Sequence, residues 1–374
     1  MTASNPARRA PRRAPRTARR LPIAALALAA LLAGCATGNP DFDPSKPHHR
    51  PDGFTNVDGP RGGRPLAEFL RWQVGRLREG LPRAPAAGYA AFPVVRPDLA
   101  LLHANRRGER VSVTWLGHAT LLLQIGGRTV LIDPVFSERA SPLPWAGPRR
   151  RVPLPARLDE LPAIDVVLVS HDHYDHLDAP TVRALIAQPG GAPLFVAPLG
   201  VDRWLREAGA PRVARLDWWD ALRVDGLEIV LTPAQHWSAR TPFDRNTRLW
   251  GGFAVRTPAF SFWYSGDTGY APVFAEIGRR LGGFDLAAIP VGAYEPRWFM
   301  KDQHVDPGEA LRILDDVGAR AAIGVHWGTF ELTDEPLDAP AAALAAAMDA
   351  RRVPRERFVL FRHGETRLYP PRGR

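Results

Sequence analysis

The sequence predicts a mixed α/β domain, and three observations lead there. Short apolar runs, such as Val166-Val167-Leu168-Val169, stop where a polar cluster or a Gly- or Pro-bearing turn begins, as buried strands do. Residues 178–188 and 303–317, in contrast, carry helical spacing. With 45% hydrophobic residues, a chain of 374 is long enough to bury the core of one large domain.

Taken in order, the elements begin with a targeting segment. Residues 8–20 hold seven arginines and no acid, and a short apolar run, 21–32, follows. That run is too short for the roughly 20 residues of a spanning helix and reads as a secretory signal. It ends in Leu32-Ala33-Gly34-Cys35, which resembles the lipobox of bacterial lipoproteins. Residues 1–34 are therefore expected to be cleaved, leaving lipid on Cys35 and the protein anchored in the cell envelope. Ala36 follows the cysteine, which by the lipoprotein rule directs the chain to the outer membrane facing the periplasm. In a cell without one, the outer face of the cytoplasmic membrane is expected. Residues 35–64, rich in Pro, Gly and Asp and containing His48 and His49, read as a solvated flexible tether.

The remaining domain, 65–374, opens with a helical spacing over 65–79. Its stripe of Leu66, Phe69, Leu70, Val74 and Leu77 is expected to pack against the domain rather than a membrane. The segments 111–116, 120–125 and 128–132 alternate around Gly126-Gly127 and read as strands entering a sheet. Further strands are expected at 194–196, 222–231, 252–264 and 286–291, with a helix in the Ala-rich stretch 339–350. No internal repeat is visible.

The chemistry lies where strands stop. His171-Asp172-His173-Tyr174-Asp175-His176 follows a buried strand at once, with Ser170 between them. Three of the chain's 11 histidines fall within these six residues. Imidazoles and carboxylates held on a strand tip are what a metal site requires. His236, Asp267 and His326 also follow apolar runs and precede turns, so one sheet edge could gather them. Cys35 is the only cysteine, which excludes disulfides within the chain and thiolate ligands. Any metal must use nitrogen and oxygen donors; zinc suits that set best, ahead of iron or manganese. Removing residues 1–34 lowers the formal charge from +10 to +3, so the high pI of the whole chain belongs to the signal. Nucleic acid is accordingly not an expected partner.

The ordered series His-x-His-x-Asp-His, His, Asp, His resembles the metallo-β-lactamase superfamily. Its flanks are similar to those of N-acyl-phosphatidylethanolamine-hydrolysing phospholipases D. The similarity rests on Trp115-Leu116-Gly117-His118-Ala119-Thr120, Leu216-Asp217-Trp218-Trp219, Gly266-Asp267-Thr268-Gly269-Tyr270, Glu295-Pro296-Arg297-Trp298-Phe299-Met300 and His326-Trp327-Gly328-Thr329-Phe330. It extends over roughly residues 65–369. The resemblance implies a single-domain αββα sandwich, two divalent metal ions, a phospholipid substrate and a homodimer. It places His171, His173 and His236 on one ion, and Asp175, His176 and His326 on the other, with Asp267 bridging. Catalysis would then fall to Asp175, Asp267 and His304, with hydroxide held on the ions attacking phosphorus and phosphatidate as one product. Ions roughly 3.5–4 Å apart can clamp both oxygens of such a displacement.

Gln303 and His304 are expected either beside the substrate or as a pair capping the next helix. Asp133 is a candidate to orient the cluster loop, and His118 reads as a packed or hydrogen-bonded histidine rather than a ligand. Tyr174, Trp218, Trp219, Trp298 and Phe299 could wall an acyl-chain cavity or pack in the core. Two alternatives stand beside this reading: a lactonase or other phosphodiesterase using the same ligands, and a non-catalytic envelope protein with a structural metal.

Overall fold

The computed structural model describes Thr2 and residues 38–58 and 64–370. Cys35 and, apart from Thr2, the expected signal lie outside the described residues. A two-stranded hairpin comes first, β1 (His49–Arg50) and β2 (Gly53–Phe54). One seven-stranded sheet is then built from β3 (Val111–Gly117), β4 (Thr120–Ile125), β5 (Arg128–Ile132), β6 (Val166–Leu168), β7 (Leu194–Pro198) and β8 (Val213–Leu216). A second follows from β9 (Ala221–Val224), β10 (Leu227–Thr232), β11 (Gly252–Arg256), β12 (Ser261–Tyr264), β13 (Leu286–Pro290), β14 (Ala322–Val325) and β15 (Phe358–Val359). β16 (Thr366–Tyr369) returns to the first sheet beside β3.

Each sheet carries three antiparallel pairings and then three parallel ones, so the two halves repeat one plan without a visible sequence repeat. Alternation along the strands divides the side chains between layers. Leu121, Leu123, Val130 and Ile132 face Ile229, Leu231, Phe253 and Phe262 in a core between the sheets. Leu122, Leu131 and Val167 point outward to meet Val182 and Leu185 of the helix Ala179–Ile186 and Leu205 of the helix Val201–Glu207. On the other side, Trp263, Ala287 and Ile289 pack under the helices Val273–Leu281, Pro307–Asp316 and Ala339–Ala350. Strands covered on both faces read as continuous apolar runs, which is why they were legible. The architecture is the αββα sandwich.

Several expectations change in detail. The segment 222–231 is two strands joined at Asp225-Gly226, whose φ of 50° and 84° suit a tight hairpin turn. The segment 252–264 is likewise broken by a turn in which Thr257 N–H donates to the Phe260 carbonyl. The helix expected over 303–317 starts at Pro307, because Asp306 caps it by accepting from Glu309 N–H.

Two corrections are larger. Residues 38–58, expected as a solvated tether, form a strap against the domain. Asp217 accepts hydrogen bonds from His48 Nε2 (2.7 Å), His49 Nε2 (3.0 Å) and Lys46 Nζ, and both histidines are buried. The polar composition that suggested disorder supplies partners for distant groups instead. The stripe on the helix Leu66–Glu79 is not packed: Leu66, Leu70 and Leu77 are 71%, 52% and 86% exposed. Trp72 and Arg76, one turn apart, dock the helix. Trp72 stacks on Phe299 and donates to Asp334, which also pairs with Arg76. Paired polar partners thus outweigh the apolar stripe in setting the buried face.

His363 lies buried between Trp115 and Thr329, its pKa pushed down to about 3 by burial and by Arg150. An unfolded histidine takes its proton near pH 6.5, so stability falls as pH drops below that value, through the range above 3. Wild-type protein should lose about 2 kcal/mol more stability than His363→Gln between pH 7.5 and pH 5. Urea denaturation of both proteins at the two pH values measures the difference.

Candidate metal centre

The site is assembled at one edge of the sandwich, where strands of both sheets end. The loop after β6 carries His171, His173, Asp175 and His176; Asp133 follows β5; His236 follows β10; Asp267 follows β12; His326 follows β14. Gly266 allows the β12 loop its approach: a Cβ there would lie 2.4 Å from the Gly251 carbonyl oxygen, and its φ is 64°.

Three imidazole nitrogens converge. His173 Nδ1 lies 2.9 Å from His171 Nε2 and 3.2 Å from His236 Nε2. Outer nitrogens fix the tautomers of His171 and His236. His171 Nδ1 donates to Ser170 Oγ, whose own hydroxyl donates to Asp133, and His236 Nδ1 donates to the Gln303 carbonyl. The Nε2 atoms of His171 and His236 are therefore lone pairs directed at the same point. Burial pushes the pKa values of all three rings down, so they are neutral, as metal ligands must be.

Beside this trio lies a second cluster. Asp267 Oδ2 is 3.0 Å from both His176 Nε2 and His326 Nε2, and 3.9 Å from both His171 Nε2 and His236 Nε2. It stands between the two groups. Asp175 Oδ2 is 3.3 Å from His326 Nε2 and 3.6 Å from His176 Nε2. Both carboxyls have pKa values well below the ordinary range: burial opposes ionisation, and the neighbouring histidines, His176 foremost, outweigh it. Asp267 Oδ1, His173 Nε2 and His176 Nε2 are buried without a hydrogen-bond partner. Convergent lone pairs, with Asp267 Oδ1 and His176 Nε2 left as orphaned buried acceptors, are costly unless a cation is shared among them, so the donor set fits metal ions.

All seven sequence-predicted ligands are thus brought together. Asp172, inside the same motif, is not: it faces Arg248 at 2.9 Å and accepts from Ala239 N–H. Asp133 accepts from Ser170 N–H, Ser170 Oγ, His176 Nδ1 and Tyr264 Oη at 2.6–2.7 Å, in keeping with an orienting place. His118 donates from Nε2 to Asp175 Oδ2 at 2.9 Å, with its pKa lowered to about 3 by burial. It is a hydrogen-bonded histidine at the margin of the second cluster, close enough for its Nε2 to group with those donors.

A cavity of about 200 Å³ opens over the centre. His304 lines it with a buried, unpartnered Nδ1, and groups with His236 and Asp267. Gln303 also lines it, yet its amide donates to Met300 Sδ and its carbonyl holds His236. The helix-capping reading of the pair is overturned, since Asp306 is the cap. Of the five candidate aromatics only Phe299 lines this cavity. Tyr174 packs with Arg240, Trp218 with His48, Trp219 with Arg280, and Trp298 with Arg71. Sequence reasoning missed Trp72, Trp237 and Arg245 in the wall; a lone tryptophan on a helix and a Trp directly after His236 were the only signals.

Residues 128–327 match the β-lactamase superfamily domain, and the chain belongs to that family. Solved structures agree on the fold: an isothiocyanate hydrolase from Delia radicum gut bacteria aligns with a TM-score of 0.55 at 22% identity, over 69% of this chain and 99% of that one. A metallo-β-lactamase fold protein of Bacillus subtilis aligns at 0.51 and 16% identity, over 70% of this chain and all of that one. Within the superfamily, the chain belongs to the N-acyl-phosphatidylethanolamine-hydrolysing phospholipase D-like family of metal-dependent hydrolases. It is 40% identical to N-acyl-phosphatidylethanolamine-hydrolyzing phospholipase D 1 of Caenorhabditis elegans over 80% of this chain and 86% of that protein. It is 41% identical to an uncharacterised Mycobacterium tuberculosis protein, over 82% and 81%.

Asp133→Asn keeps the volume but places an amide among four donors. We expect zinc affinity to fall about 10–100-fold, read by competition with a chromophoric chelator; unchanged affinity would remove Asp133 from the centre's support.

Proposed function

We propose that the protein is a membrane-anchored phosphodiesterase with two metal ions, hydrolysing N-acyl-phosphatidylethanolamine to N-acylethanolamine and phosphatidate. The observation that carries the reading is the position of Asp267 between two separate ligand clusters beneath an apolar-walled cavity. His171, His173 and His236 would hold one ion, Asp175, His176 and His326 the other, with Asp267 shared; zinc suits the set. When bound, two such ions supply hydroxide at neutral pH and neutralise phosphodiester oxygens.

The chain's own groups do the rest. His304, neutral and unpartnered at Nδ1, faces the space where a phosphate oxygen or amide would lie. Arg245 brings positive charge to the wall, Arg64 is paired there with Asp302 at 2.6 Å, and Phe69, Trp72 and Phe299 make the apolar side. About 200 Å³ suits a head group rather than a two-chain lipid, so the acyl chains must remain outside.

The outward apolar face of the helix Leu66–Glu79 supports a lipid surface beside that cavity, since Phe69 and Trp72 of the same helix line it. The anchor adds to this. Because the ordered strap reaches Asn39, a lipid on Cys35 lies only four residues away, at most about 14 Å of extended chain. Such an anchor holds the domain close to the bilayer. A homodimer is part of the same reading through the family resemblance.

Zinc-loaded protein incubated with N-acyl-phosphatidylethanolamine should release N-acylethanolamine and phosphatidate by mass spectrometry, with turnover abolished by chelation. Asp267→Ala should lose at least about 100-fold in activity with its circular dichroism unchanged; full activity would sink the assignment. No turnover by a chain that binds two ions would move the substrate to lactones or other phosphodiesters. Leu66→Ser with Leu70→Ser should slow hydrolysis in vesicles several-fold while sparing detergent-dispersed substrate. Equal rates for this variant and wild type on vesicles would exclude the helix as a lipid-facing element.

A further inference from the structure

The cluster loop supplies four of the seven candidate ligands and is supported by Asp133. His236 stands apart, on the segment after β10, and needs support of its own. Its ring is held at Nδ1 by the Gln303 carbonyl. Its backbone is held by a residue from the far N-terminus. Asn56 Nδ2 donates to the His236 carbonyl at 3.1 Å, and His236 N–H donates to Asn56 Oδ1 at 3.1 Å. The side-chain amide thus brackets both backbone groups of one residue, as a neighbouring strand would. Trp250 Nε1 donates to the same Oδ1 at 3.1 Å, and Asn56 is itself buried.

The strap that delivers Asn56 is fastened at several points. Phe54 N–H donates to the Asn246 carbonyl at 2.8 Å, and within the strap Thr55 N–H donates to the His48 carbonyl at 2.9 Å. A Cβ on Gly53 would lie 2.1 Å from the Asn246 carbonyl oxygen, so the approach requires glycine. Ahead of it, Lys46, His48 and His49 close on Asp217, which also accepts from Trp218 N–H. His48, His49 and Asp217 could pass for a third metal site by spacing alone. Two facts oppose that. Lys46 already places a cation on the carboxylate, and His49 Nδ1 accepts from Asp43 N–H, which puts the ring proton on the Nε2 that faces Asp217. The cluster is a clasp for the strap.

We propose that Asn56 is a positioning residue for the three-histidine half of the metal centre, held in place by the strap 38–58 and its clasp on Asp217. It acts through His236 and touches no substrate. The inference rests on the proposed role of His236 as a metal ligand and deepens it: occupancy of one of the two metal positions depends on a segment before the catalytic domain proper.

The test measures metal rather than turnover. The full chain, wild type, Asn56→Ala and Asn56→Asp, is loaded with zinc and titrated with a chromophoric chelator, and cobalt-substituted samples are followed by absorption spectroscopy. Asn56→Ala should weaken one ion about 10–100-fold and leave the other at wild-type affinity, with loss of one component of the cobalt spectrum. Asn56→Asp keeps the acceptor for His236 N–H and Trp250 but sets a carboxylate oxygen against the His236 carbonyl in place of the donor, so it should weaken the same ion; it also serves alone should the alanine variant fail to fold. Wild-type affinity for both ions in the variants, or an equal loss from both, overturns the proposal. A wild-type chain that binds no ion overturns the metal-centre reading on which it rests. A two-ion chain inactive on the lipid touches only the substrate.

Discussion

One buried carboxylate ties the halves of this molecule together. Asp133 follows β5 in the first sheet and accepts from Tyr264 Oη, at the end of β12 in the second. The same carboxylate receives Ser170 and His176 from the cluster loop. Four donors on one fully buried acid are charge-assisted and mutually dependent, and removing the acceptor would strand all of them. Register between the sheets, orientation of the cluster loop and the tautomers of His171 and His176 therefore share one fixed point.

Around it the backbone is held in conformations that most residues avoid. His118, Asp133 and His326 have φ values of 51°, 40° and 60°, in the left-handed region. Each such residue costs on the order of 1 kcal/mol, and the surrounding bonds offset that cost. His326 N–H donates to the His118 carbonyl at 2.9 Å, His118 N–H to Thr329 Oγ1 at 2.8 Å, and Asp133 N–H to the Leu168 carbonyl at 2.9 Å. The two contacts of His118 cross between strand ends of different sheets, and that of Asp133 ties neighbouring strand ends of one sheet. The edge that carries the chemistry is also where the two sheets are locked to each other, so geometry at the centre is set by the whole sandwich rather than by a single loop.

The ligands were legible in the sequence because each obeys a local rule: an apolar strand, then a donor, then a turn. Asp133 obeyed it too. What the sequence did not show were relations without a local rule. Asn56 lies in a stretch whose composition resembles a linker, and nothing nearby marks its pairing with a residue 180 positions away. Gln303 contributes through its carbonyl, which every residue possesses, so its side-chain type carried no information. Splits at Asp225-Gly226 and around Pro258 were readable turn signals that the apolar runs on both sides obscured.

The two largest reversals share a cause. The polar strap is docked on the domain, with His48, His49 and residues 53–56 buried, and the apolar stripe of the helix Leu66–Glu79 is exposed, each the opposite of what composition implies. In both, a few exact pairings decide: three donors on Asp217 for the strap, and Trp72 with Arg76 on Asp334 for the helix. The two segments also meet the same loop, since Phe54 N–H donates to the Asn246 carbonyl and Arg245 donates to the Arg64 carbonyl. Arg245 in turn lines the cavity over the ligands. An aqueous domain would gain by turning Leu66, Leu70 and Leu77 inward, and here the polar pairings keep them outward, on the helix whose Phe69 and Trp72 line the cavity. On the proposed reading that arrangement would cost little, because the apolar residues would rest at the headgroup–acyl boundary of a bilayer.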